Sequence, residues 1–200
     1  LVQSEVESRD DDDWLQSQLP AGIQHPEINA QVTTYVIGTN EMATREVVDE
    51  AEHHGLDQYL HEDFVSGDAI QQGRVIGECL CSAAAGVHVW GGETTVELPD
   101  NPGLGGRNQS MALSLAATIE GTNDISVLVA GTDGIDGNTP CAGAVVSGNS
   151  MRLIRQMGFD AEVELSKANA GMVLMAIDEL FKPGPTNTNV MDIVIAYKRH

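Results

Sequence analysis

The chain has 200 residues, 42% of them hydrophobic, which is enough apolar side chain to bury one ordinary core. Its formal charge of −20, from 30 acidic and 10 basic residues, argues against nucleic acid or an anionic membrane as a partner, because both bind basic surfaces. The acidic balance suits a salt-rich cytoplasm, and it equally suits an ordinary acidic soluble protein.

The first 31 residues have no apolar periodicity and include a run of aspartates at positions 10–13. They are predicted to be an acidic solvated tail or the end of a truncated segment. No apolar stretch reaches membrane-spanning length and no signal peptide opens the chain, so a cytoplasmic location is expected. Cys79, Cys81 and Cys141 lack metal-binding spacing, and buried free thiols are expected at these positions.

Residues 32–85 alternate between strand and helix patterns, which predicts a parallel sheet. A strand over 34–37 precedes a helix that Asn40 is expected to cap and Gly55 to end. A second strand at 58–60 precedes a helix over about 68–85. The predicted buried positions are Ala43, Val47, Val48 and Ala51 in the first helix, and Ile76, Cys79, Leu80 and Ala83 in the second.

After residue 85 the pattern changes, and a new unit is predicted to begin. Two strands, at 87–90 and 94–98, are expected on either side of Gly91-Gly92-Glu93. The elements predicted after them are a glycine-rich loop at 102–106, a helix over about 108–119 that buries Ala112, Leu115, Ala116 and Ile119, strands at 125–130 and 145–146, helices at 151–157 and 167–181, and a closing strand at 193–197.

Three loops combine glycine with polar residues: "GLGGRNQS" (103–110), "GTDGIDG" (131–137) and "GPTNTNVMD" (184–192). In the first loop the glycines allow close approach of a ligand, the helix start offers N–H groups to an anion, and Arg107 adds a bidentate positive fork. In the second loop, Asp133 and Asp136 suit magnesium binding or proton abstraction from a hydroxyl, and they are also ordinary turn residues. Since ligand sites in such sheets gather at strand ends, the three loops are expected at one edge.

Two nucleotide-binding patterns are missing from the sequence. No lysine follows a glycine, so the phosphate-binding pattern GxxxxGK[ST] is excluded. "GLGGRN" comes nearest to GxGxxG, but Asn108 stands where the third glycine belongs. A phosphate-loop kinase is therefore excluded, and a nicotinamide-binding Rossmann site is unsupported within this chain.

Read in order, the segments "WGGETTVEL", "GLGGRNQSMALSLA", "VLVAGTDGIDGNTPCAGAVV" and "GPTNTNVMDI" resemble the carboxy-terminal MOFRL domain of the ATP-dependent glycerate 2-kinase family, also named hydroxypyruvate reductase. The weaker segment "VIGTNEMATREVVDEAEHHGL" resembles the last βα units of that family's Rossmann-like domain. The resemblance implies an α/β fold with a mixed-sheet MOFRL-like domain over 86–200. The end of the Rossmann-like domain would occupy 32–85, after the acidic segment 1–31.

The resemblance also implies phosphoryl transfer from ATP to glycerate with Mg²⁺, by an enzyme of which this chain is the carboxy-terminal part, inactive without its amino-terminal domain. Arg107 would steady the substrate carboxylate or the charge on the transferring phosphoryl group. Asp133 and Asp136 would share the roles of base and magnesium ligand in either order. The remaining implied substrate- or nucleotide-binding residues are Gly91, Gly92, Glu93, Thr94, Gly105, Gly106, Asn108, Gln109, Thr132, Thr186, Thr188, Asn189 and Asp192.

The sequence departs from the family pattern in two places. Lys182-Pro183 precedes Gly184 where the family has a strand ending in Thr-Gly, and "KANAGMV" keeps only Asn169 of a polar turn. The enzymatic alternative is a hydroxypyruvate reductase, and the other is a non-catalytic module that binds a small molecule. A homo-oligomer is a further option for this protein.

Overall fold

The computed structural model describes residues 35–200, and residues Gly38–His200 form one compact unit. The helices and strands of the described residues, in chain order, are α1 (Asn40–His53), β1 (Gln58–Asp68), α2 (Ala69–Ser82), β2 (Gly86–Thr95), α3 (Arg107–Thr118), β3 (Ile125–Gly131), β4 (Gly143–Ser147), α4 (Ser150–Gln156), α5 (Ala161–Ser166), α6 (Ala170–Ala176), β5 (Leu180–Phe181) and β6 (Asp192–Lys198).

The strands of the described residues form one six-stranded sheet in the order β1-β2-β6-β3-β4-β5. Only β1 and β2 pair in parallel, and each of the other neighbouring pairs is antiparallel. The mixed-sheet α/β fold is thus confirmed, and the parallel arrangement expected from the early alternation is limited to one pair. Because β1 pairs with β2, residues on both sides of the predicted boundary at 85 belong to the same sheet, and the domain division stays a prediction.

The last strand does not close an edge of the sheet but lies between β2 and β3. Its first residue, Asp192, therefore stands beside Gly92 on one side and Gly131 on the other. Strand β6 carries this polar residue into the sheet at the end where the glycine-rich loops begin.

The main core lies on the face of the sheet covered by α2 and α3, and α1 covers a smaller apolar cluster on the other face. Helix α3 is buried at every position from Asn108 to Ala116. It mixes apolar with small polar residues and has no side that must face water, as expected of a central helix. Its amino-terminal end points toward the glycine-rich loops.

The two strands predicted around Gly91-Gly92-Glu93 are one continuous strand, β2, so the predicted break is wrong. Gly91 and Gly92 keep their pairing with Ile193 and Asp192 of β6. A Cβ atom at Gly92 would lie 2.2 Å from the carbonyl oxygen of Val65 in β1. Glycine is required there because the neighbouring strand passes too close for any side chain.

A strand was predicted at 34–37, and Thr34 lies outside the described residues. The other three residues, Tyr35–Ile37, have no strand pairing and are exposed. The predicted cap of α1 is also wrong by one position. Thr39 has the extended backbone of an N-cap, and its Oγ1 accepts a hydrogen bond from Met42 N at 3.1 Å. Asn40 is already helical, and its side chain points elsewhere.

The helix predicted over 167–181 is divided, because two residues outside α6 adopt left-handed backbone angles. Ala168 has φ 50° and Asp178 has φ 58°, and neither angle can continue a right-handed helix. Helix α6 and the short strand β5 replace the single helix, and α5, which precedes them, is missed by the sequence pattern.

The cysteine prediction holds for one residue of three. Cys141 is buried, whereas Cys79 and Cys81 are exposed. Helix α2 buries Gly73, Ile76, Gly77 and Leu80, so the contact side passes through two glycines and leaves Cys79 facing solvent. Ala83 is half-buried and lies beyond the end of the helix.

Candidate functional site

The three glycine-rich loops meet at one end of the sheet, as expected. Between the first and second loops, Asn138 Oδ1 accepts from Gly105 N at 2.9 Å and Asn138 Nδ2 donates to Gly103 O at 3.0 Å. Between the second and third, Thr186 N donates to Asp133 O at 3.3 Å. The candidate residues in these loops therefore lie close together.

Arg107, the first residue of α3, is held by a buried carboxylate. Its Nε donates to Asp192 Oδ2 at 2.6 Å and its Nη2 to Asp192 Oδ1 at 3.0 Å. Glu93 adds a weaker contact, with its Oε1 3.4 Å from Arg107 Nη2. The Asp192 side chain is 6% exposed and the Arg107 side chain 34% exposed. Asp192 thus orients the guanidinium, and its hydrogen bond raises the pKa of Arg107 above the usual value.

Asp192 has a further partner on α3. Asn108 Nδ2 donates to Asp192 Oδ1 at 3.0 Å, so this one carboxylate binds the side chains of two consecutive residues. Asp192 was expected among residues that touch substrate or nucleotide, but its oxygens are engaged by the protein. These bonds hold the Arg107 and Asn108 side chains, and contact of Asp192 with substrate or nucleotide stays a prediction.

Asp136 occupies the amino terminus of α3. Its carboxylate accepts from Asn108 N at 3.1 Å and Gln109 N at 2.8 Å, and the residue is 3% exposed. The N–H groups that the sequence suggested for an external anion therefore bind an internal one. A Cβ at Gly106 would lie 2.3 Å from Asp136 Oδ1, which explains the glycine before the helix. Burial raises the pKa of Asp136 to about 6, although the two backbone hydrogen bonds oppose that change.

Asp133 has different surroundings from Asp136. It is half-buried, its Oδ1 accepts from Ile135 N at 3.0 Å, and its Oδ2 accepts from Asn189 Nδ2 at 3.4 Å. The first bond is an Asx-type turn, which either Asp or Asn can form. The second bond is long and joins the second loop to the third. Asp133 is therefore the more accessible of the two candidate carboxylates.

The polar residues of the third loop mainly hold its own backbone. Thr132 Oγ1 donates to Met191 O at 2.7 Å and accepts from Val190 N at 2.8 Å. Thr186 Oγ1 donates to Thr132 O at 2.5 Å. Thr186, Thr188 and Asn189 are exposed, so their outer surfaces can still meet a ligand.

A cavity of about 470 Å³ lies beside Arg107, lined by Thr94, Gly105, Gly106 and Asn138 among others. Thr94 is 2% exposed, and its Oγ1 has no hydrogen-bond partner within residues 35–200. A buried hydroxyl without a partner costs free energy, so a polar ligand atom in this cavity would relieve that cost. The carbonyl oxygens of the Asn108 and Gln109 side chains are unpaired in the same described region.

Three asparagines support the site. None of them was assigned this role from the sequence. Asn138 ties the first two loops together, as described above, and directly follows "GTDGIDG". Asn169 Oδ1 accepts from Leu104 N at 3.0 Å, so the turn that departs from the family pattern holds the first loop. Asn40 contacts the start of β6. The position of Asn138 next to a recognised motif, and the retention of Asn169 in the family's turn, are the signals that could have revealed two of them.

Metal binding was expected at Asp133 or Asp136. Within the described part of the chain, no group of three or more His, Cys, Asp or Glu side chains is placed to hold a metal ion. Both oxygens of Asp136 accept backbone N–H groups and the residue is 3% exposed, so it is less accessible to a metal ion than Asp133. Asp133 has the accessible carboxylate. A separate finding is that no helix among residues 35–200 has both the length and the apolar character needed to cross a membrane.

Comparisons with known proteins show which family the chain resembles. The MOFRL family pattern matches residues 86–192. Glycerate 2-kinase of Pyrococcus horikoshii is 34% identical over 175 residues, which cover 82% of this chain and 39% of that protein. A protein of Agrobacterium vitis, provisionally named hydroxypyruvate reductase, is 36% identical over 167 residues, covering 79% of this chain and 43% of that protein.

A comparison with solved structures also finds a glycerate kinase. The crystal structure of glycerate kinase from Thermotoga maritima matches with a TM-score of 0.79 at 30% identity, over 82% of this chain and 41% of that one. The chain spans less than half the length of each of these relatives. With the family pattern covering more than half of its residues, the chain belongs to the MOFRL family.

Proposed function

We propose that this chain is the carboxy-terminal part of an ATP-dependent glycerate 2-kinase, which transfers a phosphoryl group from ATP to a hydroxyl of glycerate. The observation that carries the proposal is Arg107, fixed by the buried Asp192 beside a cavity of about 470 Å³ where three loops meet. The relatives named glycerate kinase, in Pyrococcus and Thermotoga, support the choice of reaction.

Phosphoryl transfer asks the protein mainly for positioning and for neutralisation of charge. Arg107 supplies a positive charge, and Asp192 already fixes the orientation of its guanidinium. Little reorganisation is therefore needed when a charged substrate arrives. Its side chain is one-third exposed, which leaves part of the guanidinium within reach of a ligand while Asp192 holds it. The ligand group can be the glycerate carboxylate or the oxygens of the transferring phosphoryl group.

Asp133 is proposed as the functional carboxylate of the second loop. Magnesium bound to nucleotide phosphates often uses one or two protein carboxylates, and it supplies neutralisation of phosphate charge when bound. Asp133 fits this role, and it equally fits that of a base that accepts the proton of the attacking hydroxyl. Thr94, Thr186, Thr188 and Asn189 are proposed to contact substrate or nucleotide. Asp136 is proposed to act by holding the start of α3.

The test is glycerate- and magnesium-dependent consumption of ATP by the complete protein. Arg107→Lys and Asp133→Asn are expected to lower turnover by about 10²-fold or more, because each removes a positioned charge. Both variants should keep the circular dichroism spectrum of the unchanged protein, which shows that they are folded. The matched controls are Arg152→Lys and Asp49→Asn, at exposed positions away from the loops, and these should keep normal activity.

Full activity in both Arg107→Lys and Asp133→Asn would contradict the proposed roles. Nicotinamide-dependent reduction of hydroxypyruvate, without consumption of ATP, would replace the kinase by the enzymatic alternative. Binding of glycerate without turnover of either kind would favour the non-catalytic module.

A further inference from the structure

Asn40 opens α1, outside the segment 86–192 that matches the family, yet its side chain reaches the last strand. The residue is 7% exposed, and its Nδ2 donates to Val190 O at 2.8 Å and to Asp192 O at 2.9 Å. Thr39 already caps the helix, so the Asn40 amide is not needed at the helix start. Both of its donor hydrogens are used to hold a loop 150 residues further along the chain.

The loop that Asn40 holds contains a strained residue. Met191 lies between the two bound carbonyls and has φ 71°, a left-handed angle that residues with a side chain rarely adopt. Thr132 holds Met191 from the other side, since its N and Oγ1 donate to Met191 O at 3.0 and 2.7 Å. The backbone of 190–192 is therefore clamped between α1 and the end of β3.

This clamp determines where the Asp192 carboxylate points, because Asp192 directly follows Met191. That carboxylate in turn binds Arg107 through Nε and Nη2, at 2.6 and 3.0 Å. An unbroken series of contacts thus runs from the Asn40 amide, through the backbone and carboxylate of Asp192, to the Arg107 guanidinium.

Gly91 provides the space that Asn40 needs. A Cβ atom at this position would lie 1.7 Å from Asn40 Oδ1 and 3.1 Å from Thr44 Cγ2. Any larger residue at 91 would push the amide away from the loop. The family resemblance suggested Gly91 as a ligand-binding residue. The geometry adds a structural reason for glycine at this position, because a side chain would collide with Asn40.

We propose that Asn40 is a positioning residue for Arg107, and that Gly91 is required because it accommodates the Asn40 side chain. The link to catalysis rests on the proposed function. The link from Asn40 to the orientation of Arg107 does not, and it can be measured without turnover.

The direct test uses the complete protein labelled with nitrogen-15 arginine. The Arg107 Nε–H, assigned by its absence in Arg107→Lys, should exchange slowly with water because a buried carboxylate accepts it. Asn40→Ala is expected to speed this exchange about tenfold or more, since the Asp192 backbone loses its support. The matched control is Thr39→Ala, which weakens the same helix but leaves the Asn40 contacts in place. An unchanged exchange rate in folded Asn40→Ala, or the same acceleration in Thr39→Ala, would overturn the proposal.

Gly91→Ala tests the same contact from the other side, and it carries the test if Asn40→Ala does not fold. It is expected to accelerate Arg107 Nε–H exchange to a similar extent, because the new methyl group displaces the amide. Adding Gly91→Ala to Asn40→Ala should then cause little further change, since the obstructed atom is gone. Additive effects, or normal exchange in Gly91→Ala, would contradict the role given to this glycine.

The kinetic test separates positioning from general damage. Asn40→Ala should lower kcat about tenfold and change KM for glycerate or ATP less than about threefold, as expected when a transition-state contact is misplaced. Thr39→Ala should leave both constants nearly unchanged. If the unchanged protein consumes no ATP, the proposed function fails while the exchange measurement still decides the role of Asn40.

Discussion

At the scale of single residues, Asp133 and Asp136 show how surroundings divide two similar side chains. They are three positions apart in one loop, and the sequence offers no basis for ranking them. Asp136 is buried and binds the first N–H groups of α3, whereas Asp133 forms a turn and is more accessible. The two aspartates should therefore differ in their effect on stability.

Asp136→Asn is expected to lower the free energy of unfolding by about 1 kcal/mol at pH 7.5, because the new amide can accept only one of the two backbone N–H groups. The loss should grow on acidification. The pKa of Asp136 is raised from 3.8 to about 6, so its contribution to stability is fully present below pH 3.8 and is lost as the pH rises through about 6. Urea unfolding of both proteins at pH 4.5 and 7.5 measures this difference.

The control for this prediction is Asp133→Asn. An asparagine at 133 can still accept from Ile135 N, so the free energy of unfolding should stay within about 0.5 kcal/mol at both pH values. A variant at 136 that loses the same stability at pH 4.5 as at 7.5 would show that this carboxyl does not titrate as inferred.

At the scale of elements, the close packing of α2 on α3 depends on a glycine in α2, Gly73, which has no side chain. A Cβ at Gly73 would lie 2.5 Å from Met111 O and 3.0 Å from Ser114 Cβ. Ser114 Oγ donates to Ile70 O at 2.6 Å, which joins the two helices at the same level. This close contact fixes α3, whose first residues carry the candidate site.

Gly73→Ala should therefore destabilise the protein, although alanine favours a helix by about 1 kcal/mol over glycine. The obstructing atoms include backbone of α3, which cannot move aside, so a net loss of about 1–3 kcal/mol is expected in urea unfolding. Gln71→Ala is the matched control, because it changes an exposed residue of the same helix and should alter stability by less than about 0.5 kcal/mol. A neutral or stabilising Gly73→Ala would show that the helices can separate without cost.

At the scale of the whole molecule, the dominant property is the charge of −20. Helix α1 alone carries five acidic residues, Glu41, Glu46, Asp49, Glu50 and Glu52. Such charges repel one another over a screening length of about 10 Å at 0.1 M salt, and this repulsion opposes folding. The repulsion is removed when the salt concentration is high.

The melting temperature is accordingly expected to rise between 0.05 and about 1 M potassium chloride, since the screening length falls to about 3 Å at 1 M. The variant Glu46→Gln/Asp49→Asn removes two exposed acidic charges from α1 and should gain less from added salt. A melting temperature that stays constant or falls with salt would contradict this account, as would an equal rise in both proteins.

Much of the fold and the location of the candidate site could be predicted from the sequence. Helix α3, strands β3 and β6, the three loops and Arg107 all follow from apolar periodicity and glycine-rich turns, which are encoded within a few neighbouring residues. The family resemblance depends on the same local segments. These features do not depend on residues distant in the sequence, and for that reason they can be predicted from the sequence alone.

Only the tertiary structure decided how these pieces work together. It placed β6 in the middle of the sheet, turned Asp136 inward to bind α3, and brought the Asn40 amide to a carbonyl 152 residues away. It also showed that Gly91 and Gly92 lie within a strand where side chains have no room. Each of these facts depends on a neighbour distant in sequence, and packing against such a neighbour leaves no periodic or local signal in the chain itself.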